Sequence, residues 1–266
     1  IWEKVPFFDR GVVRHQELDA GVTMRHARVV LEVPARTSLR WVVRGVEGAS
    51  PVESFAKGRR RVVFEVRDLR APASVTFSTG HSWADVARRY SGIVDRAIQG
   101  SDLRSVLRSA GGPADSQLDL MNLYLARVSR EIRYTGGELG REGLVPRKPA
   151  EILRRRLGDC KDKAVLLTAM LRASGIPAYV ALLSASEGMA DVESSLPGLG
   201  AFNHAIVVVP GSPAVWIDPT APATRAGELP PGDRGRLTLI ASPSTVGLVR
   251  TPGATSPGRA ETWRSR

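Results

Sequence analysis

Gly158-Asp159-Cys160-Lys161-Asp162-Lys163-Ala164-Val165-Leu166-Leu167-Thr168-Ala169-Met170-Leu171, followed by Gly175 and Pro177, is the stretch on which the fold turns. Asp159 is a good N-cap, Asp162 stands three residues on as an acidic N3 partner, and Gly175 with Pro177 closes the helix at its far end. Between these signals Val165, Leu166, Leu167, Ala169, Met170 and Leu171 are apolar all round the cylinder. A surface helix carries one apolar stripe, so this pattern predicts a buried central helix. Cys160 then falls in the first turn, where unpaired backbone N–H groups and the positive end of the helix dipole favour a thiolate. A capped helix that merely begins with a small apolar cysteine fits the same residues, and the surroundings of Cys160 must decide. Lys161 and Lys163 add positive potential at this end and are expected to be solvated.

A thiolate nucleophile needs an imidazole, and the chain offers His15, His26, His81 and His204. His204 lies in an alternating run that puts Phe202, His204, Ile206 and Val208 on one face, directed at something buried. A histidine so placed reads equally as a core residue with a satisfied hydrogen bond. Asp218 shifts the balance: it follows on the next strand candidate, past Pro210-Gly211-Ser212-Pro213, and can accept a proton from the second ring nitrogen. The other three histidines precede the helices and read as structural or surface residues. Requiring His204 and Asp218 to meet sets an expected register, with His204 opposite Asp218, Ile206 opposite Trp216 and Val208 opposite Ala214. The competing register, Val209 opposite Ala214, puts Asp218 beside Ala205 on the other face. Trp216 is expected to be buried.

Working outward, residues 149–157 read as a short helix with proline in its first turn, ending at Gly158. Strands are expected at 28–33, 39–46, 61–66 and 74–77, rich in valine and separated by Pro34, Gly45-Val46-Glu47-Gly48 and Gly58. They imply an antiparallel sandwich that starts upstream of Ile1. Residues 83–99 and 115–130 carry helical spacing, with Gly111-Gly112-Pro113 breaking between them. After the central helix, 178–183, 202–209 and 214–218 read as strands, with 188–200 a polar loop. A last apolar run covers 237–240, and the final fifteen or so residues are expected to be extended. Ile1-Trp2-Glu3-Lys4 has neither an initiator Met nor a signal-peptide core, so the chain is expected to be a piece of something longer.

Composition narrows the function. With 266 residues and 42% hydrophobic content the chain can bury a sizeable core in two domains. A single cysteine excludes an intramolecular disulfide and any multi-thiolate metal site. The formal charge is +11, and only Lys4, Lys57, Lys148, Lys161 and Lys163 among the basic residues are lysines. Such an arginine-rich surface can attract an anionic partner, although scattered charge more often makes solvated faces. No zinc-finger spacing, RNP-type aromatic run or phosphate loop accompanies it, so no specific nucleic acid is expected.

Leu157 to Lys163 with Gly175-Ile176-Pro177-Ala178, then Phe202-Asn203-His204, then Trp216-Ile217-Asp218-Pro219-Thr220, resemble in that order the core of the transglutaminase-like superfamily. The resemblance covers roughly 149–220 and implies an α+β, papain-like fold in which a central cysteine helix packs on an antiparallel sheet, preceded by part of a β-sandwich. Residues 28–99 more weakly resemble the β-rich domain that precedes this core in many bacterial cell-envelope proteins. The implied division is a β-rich domain over 1–82, a helical connector over 83–114, the catalytic domain over 115–240 and a tail over 241–266. The family's roles fall on Cys160 as nucleophile, His204 as base then acid and Asp218 as the orienting carboxylate, with Tyr134 the candidate side-chain donor to the oxyanion. The implied chemistry is acyl transfer or hydrolysis at a glutamine or peptide amide through a thioester, on a protein or peptide substrate. No calcium loop or metal-ligand cluster is legible and no cofactor is expected. A periplasmic or envelope location is implied by the resemblance alone, and the rival reading is a non-catalytic envelope module that keeps the fold for binding.

Overall fold

The structure, a computed structural model, describes residues 12–18, 23–46, 50–109, 114–136, 145–185, 191–221 and 224–253. The expectations for Ile1 to Lys4, for Gly111-Gly112-Pro113 and for the last residues of the tail lie outside them. The chain divides into two compact units, residues 1–86 with 193–201, and residues 87–192 with 202–266.

The first unit holds β1 (Val13–Glu17), β2 (Met24–Pro34), β3 (Arg40–Arg44), β4 (Val52–Ala56), β5 (Arg59–Leu69) and β6 (Ser74–Ser78). They form two antiparallel sheets, ordered β1-β6-β3 and β2-β5-β4. Alternation explains the burial: along β5, Val62 and Phe64 point inward while Arg61 and Glu65 face water. Leu31, Val62 and Phe64 of one sheet and Val75 of the other share one core, into which Trp41 packs edge-on against Phe64. β4 and β5 are joined by the two residues Lys57 and Gly58, both at positive φ, the primed geometry that matches strand twist. All four expected strands are present, β2 and β5 longer than read. β1 and β4 were not among them, because β4 is exposed at every position and β1 buries only Val13.

The second unit follows α1 (Trp83–Ile98), which begins in the first. It contains α2 (Arg104–Ser109), α3 (Gln117–Glu131), β7 (Arg133–Tyr134), α4 (Pro149–Arg155), β8 (Leu157–Gly158) and α5 (Cys160–Ala173). Then come β9 (Tyr179–Leu183), β10 (His204–Val209), β11 (Val215–Ile217), β12 (Leu237–Ile240) and β13 (Val249–Arg250). The last five strands make one antiparallel sheet in the order β11-β10-β9-β12-β13. This is the α+β, papain-like arrangement, with α5 packed on β9 and β10 between α3 and α4.

Asp159 caps α5, accepting from the Asp162 N–H at 3.2 Å. A Schellman motif ends it, with Gly175 N–H on Arg172 O and Ile176 N–H on Leu171 O, both 3.0 Å. Leu166, Leu167, Met170 and Leu171 are all fully buried. Each large apolar side chain contributes about 1.5–3 kcal/mol on burial against about 0.5–2 kcal/mol for a cap, so packing holds the helix and the cap fixes where it starts.

Two expectations are corrected. The helix before α5 does not run to Gly158: it ends at Arg155, Arg156 turns left-handed at φ 53, and Leu157–Gly158 pairs in parallel with β7. The β10–β11 register is neither of the two considered. Val207 faces Ile217, Val208 faces Trp216 and Val209 faces Val215, leaving Pro210 to Ala214 as the turn. Asp218 is displaced by two residues from the position opposite His204. Because side chains alternate with period two, that displacement keeps both on the same face, as diagonal rather than direct neighbours. Trp216 is buried as expected.

Candidate active site

The first turn of α5 carries the charged residues inward. Asp162 is fully buried and held by Arg147, whose backbone N–H and Nη1 donate to its two carboxylate oxygens at 2.8 and 2.7 Å. Burial lifts its carboxyl above the ordinary range, against the pull of those bonds. Its side chain therefore does not reach back to the Asp159 N–H, and the capping box is only half formed. Lys161 and Lys163, expected in solvent, are buried at 5% and 3% exposure. Lys161 pairs with Asp159. Burial pulls the Lys163 ammonium down, and the charge of Asp218 pulls it back up. A lysine at a helix N-terminus is ordinarily solvated, and here the opposite charges come from the cap and from the residue that follows β11.

Cys160 is partly exposed at the head of this helix. His204 is the first residue of β10, paired across the ladder with Leu183. Asn203 fixes the strand's start, its N–H on Leu183 O at 3.2 Å and its side-chain oxygen accepting from Ala185 N–H at 2.8 Å. The His204 ring interacts with the Cys160 thiol and with the Asp218 carboxylate. Its Nε2 lies 3.2 Å from Asp218 Oδ2. Burial works against charge on the ring, but the hydrogen bonds and charges of Asp218 and Cys160 win and push its pKa up to about 10. Asp218 is itself buried, and burial is overcome by the bonds from His204 and from Thr220, so its carboxyl sits below the ordinary range. Thr220 N–H and Oγ1 both donate to Asp218 Oδ1 at 2.8 Å, leaving Oδ2 for the imidazole.

Tyr134 lies on β7 opposite Gly158, two residues before the nucleophile candidate. It is half exposed, and burial followed by the charges of Cys160, Asp159 and Asp218 raises its phenol. The structure thus brings together Cys160, His204, Asp218 and Tyr134. His15 and His26 are exposed in the first unit, bonded to Thr76 and Glu65.

Two neighbours escaped the sequence reading. Tyr90, counted there only as an apolar position of α1, is buried, and its phenol is raised by burial and by the charges of Cys160, Asp159 and Asp162. Asp233, in a 3-10 turn at Pro231–Asp233, is 2% exposed, with Oδ2 4.0 Å from His204 Nε2. Its only sequence signal is the turn Pro230-Pro231-Gly232 ahead of the run that becomes β12. The contact atoms of His204, Asp218 and Asp233 all lie within 4.8 Å of one another. One nitrogen and two oxygens are donor types a divalent cation accepts.

Residues 104–217 match the model of the transglutaminase-like superfamily, a segment that starts at α2 and stops one residue short of Asp218. No curated protein matches the chain. Among solved structures, a protein from Parabacteroides distasonis thought to be a protease is similar with a TM-score of 0.67 at 17% identity. The match covers 90% of this chain and 47% of that one, so the chain spans about half its length, and the likeness is one of fold. A protein from Cytophaga hutchinsonii thought to be a cysteine protease is similar at a TM-score of 0.41 and 15% identity, over 92% of this chain and 86% of that one.

Proposed function

We infer, from the match of residues 104–217 to the transglutaminase-like superfamily, that the second unit performs thiol-dependent acyl transfer or hydrolysis at a protein or peptide amide. The observation that carries this reading is the ring of His204, close enough to the Cys160 thiol to interact with it and 3.2 Å through Nε2 from a buried carboxylate. A binding module has no use for that alignment.

Since Nε2 faces Asp218, Nδ1 is left for the sulfur. With the thiol's proton resident on the imidazole, Cys160 Sγ attacks the amide carbon, and the carbonyl π pair moves to oxygen. The oxyanion meets the Cys160 N–H, which has no acceptor inside the helix, and the Tyr134 hydroxyl. Collapse breaks the C–N bond as His204 hands its proton to the departing nitrogen, leaving a thioester. Water or an amine then adds, gives its proton back to His204 and displaces the sulfur. An imidazole pushed up to about 10 suits the acid half of this cycle, because it enters already protonated.

The test uses a peptide-amide probe whose acyl group remains on the enzyme, read by intact mass. Wild type takes up one acyl group; Cys160→Ala takes up none. Asp218→Asn folds but loses about 10⁴ in acylation rate, as expected when the histidine's orientation and tautomer are disturbed. Equal labelling of Cys160→Ala would move the reaction elsewhere.

A further inference from the structure

Asp233 is more than a neighbour of the site. It lies outside the segment that matches the family model, comes from a turn that no other site residue shares, and buries a carboxylate against a histidine that already has one. Its Oδ2 is buried without a hydrogen-bond donor. That is costly for an anion, and a buried polar atom without a partner calls for an explanation. A side chain able to answer it is Asp218, whose carboxylate lies with that of Asp233 and the His204 ring in a cluster of contact atoms all within 4.8 Å of one another and interacts with Asp233 directly. Two ionised carboxylates cannot bond to each other, whereas one proton between them satisfies both.

We propose that Asp233 is a positioning residue for His204: it carries a proton shared with Asp218, so that the buried pair presents one negative charge to the Nε2 edge of the imidazole. The inference rests on the acyl-transfer reading above. Thr220 holds Asp218 from one side through Oδ1, and Asp233 holds it from the other, fixing Oδ2 on the ring. The groups facing the pair agree with this. Asp233 faces His204, Asp218 and Arg236; Asp218 also faces Lys163 from α5 and Tyr134 from β7; Cys160 interacts with the same ring. Burial first, offset by His204 and reinforced by Asp218, lifts the Asp233 carboxyl to about 7, so the shared proton is present near neutrality.

The chain has one cysteine and four histidines, which makes two measurements clean. The first is the rate of Cys160 alkylation by iodoacetamide, followed by intact mass. The second is the pH dependence of the His204 ring signals in a long-range proton–nitrogen spectrum. Asp233→Ala should slow alkylation about tenfold through a misaligned ring, and Asp233→Asn, whose amide can donate to Asp218 as the acid does, should restore it to within about threefold of wild type. The wild-type His204 Nε2 signal should shift near pH 7, where Asp233 titrates, and that step should vanish in Asp233→Asn. His204→Ala serves as the reference. If it slows alkylation but both Asp233 variants match wild type and the step near pH 7 persists in Asp233→Asn, the role of Asp233 falls while the site reading stands. If His204→Ala has no effect, the acyl-transfer reading falls and takes this one with it. Stoichiometric Zn²⁺ binding to the wild type, lost in Asp233→Asn, would also overturn the proposal, since the orphan oxygen would then be a ligand.

Discussion

Tyr134 pairs on β7 with Gly158, two residues before the nucleophile candidate. Its hydroxyl matters only where an oxyanion forms, which gives a selective expectation. Tyr134→Phe should slow acylation by the amide probe about 10²–10³-fold. Alkylation by iodoacetamide, a displacement at saturated carbon with no oxyanion, should be unchanged. Equal slowing of both reactions would mean that the phenol supports the structure of the site instead. The placement of Cys160, His204 and Asp218 is legible in the sequence because a helix cap and an alternating strand fix which way a side chain points. That of Asp233 and Tyr90 is not, since no local period connects them to Cys160, and the burial of Lys161 and Lys163 depends on partners that folding supplies.

Among the elements of the site, the link between β7–β8 and α5 leaves no room for a side chain at Gly158. A side-chain carbon added at Gly158 would lie 2.9 Å from Asp162 Cβ and 3.3 Å from Ile132 Cγ2. Gly158 is thus required for close approach, with the Arg147–Asp162 pair packed directly behind it. Gly158→Ala should destabilise the protein by about 1–3 kcal/mol in urea unfolding, the usual cost of overpacking. It should also slow Cys160 alkylation, because Asp162 lies in the same turn as the nucleophile candidate. A variant of wild-type stability would show that Asp162 can yield without loss. In the sequence Gly158 is legible only as the end of a helix. Two-residue strands such as β7 and β8 are too short to show a period, and the left-handed turn at Arg156 has no glycine to announce it. By contrast α5 was legible from cap to Schellman motif because capping, uniform apolarity and the terminal glycine agree. The β10–β11 hairpin lies between: strand parity put His204 and Asp218 on one face, but the length of the Pro210-to-Ala214 turn shifted their pairing by two.

For the whole molecule, the dependence of stability on pH should be traceable to the buried cluster. The ion pairs of the first unit, such as Arg59–Glu32 and Arg44–Glu193, are substantially exposed, and pairs of that kind contribute about 0–1 kcal/mol. His204 is different. Its pKa rises from 6.5 to about 10 on folding, so the stabilisation is fully present below 6.5, where both states hold the proton. As pH climbs, the unfolded chain gives up that proton first, and the stabilisation drains away through pH 10. Asp233 is also raised, from 3.8 to about 7, and its contribution is lost over that lower window. Asp218, lowered on folding, contributes above 3.8 and loses its contribution only as acid protonates it in the fold. Between pH 7.5 and 9 His204 therefore dominates. Lys163, lowered by burial, acts in the opposite sense, but it is common to wild type and variant. Urea unfolding of the wild type should lose stability steadily across this interval. His204→Asn should start less stable at pH 7.5, because a buried carboxylate has lost its partner, and then lose no further stability to pH 9. The two curves should converge as pH rises. Parallel curves would show that the His204 proton is not held by the fold, and the imidazole would then enter the acyl-transfer cycle as a neutral base.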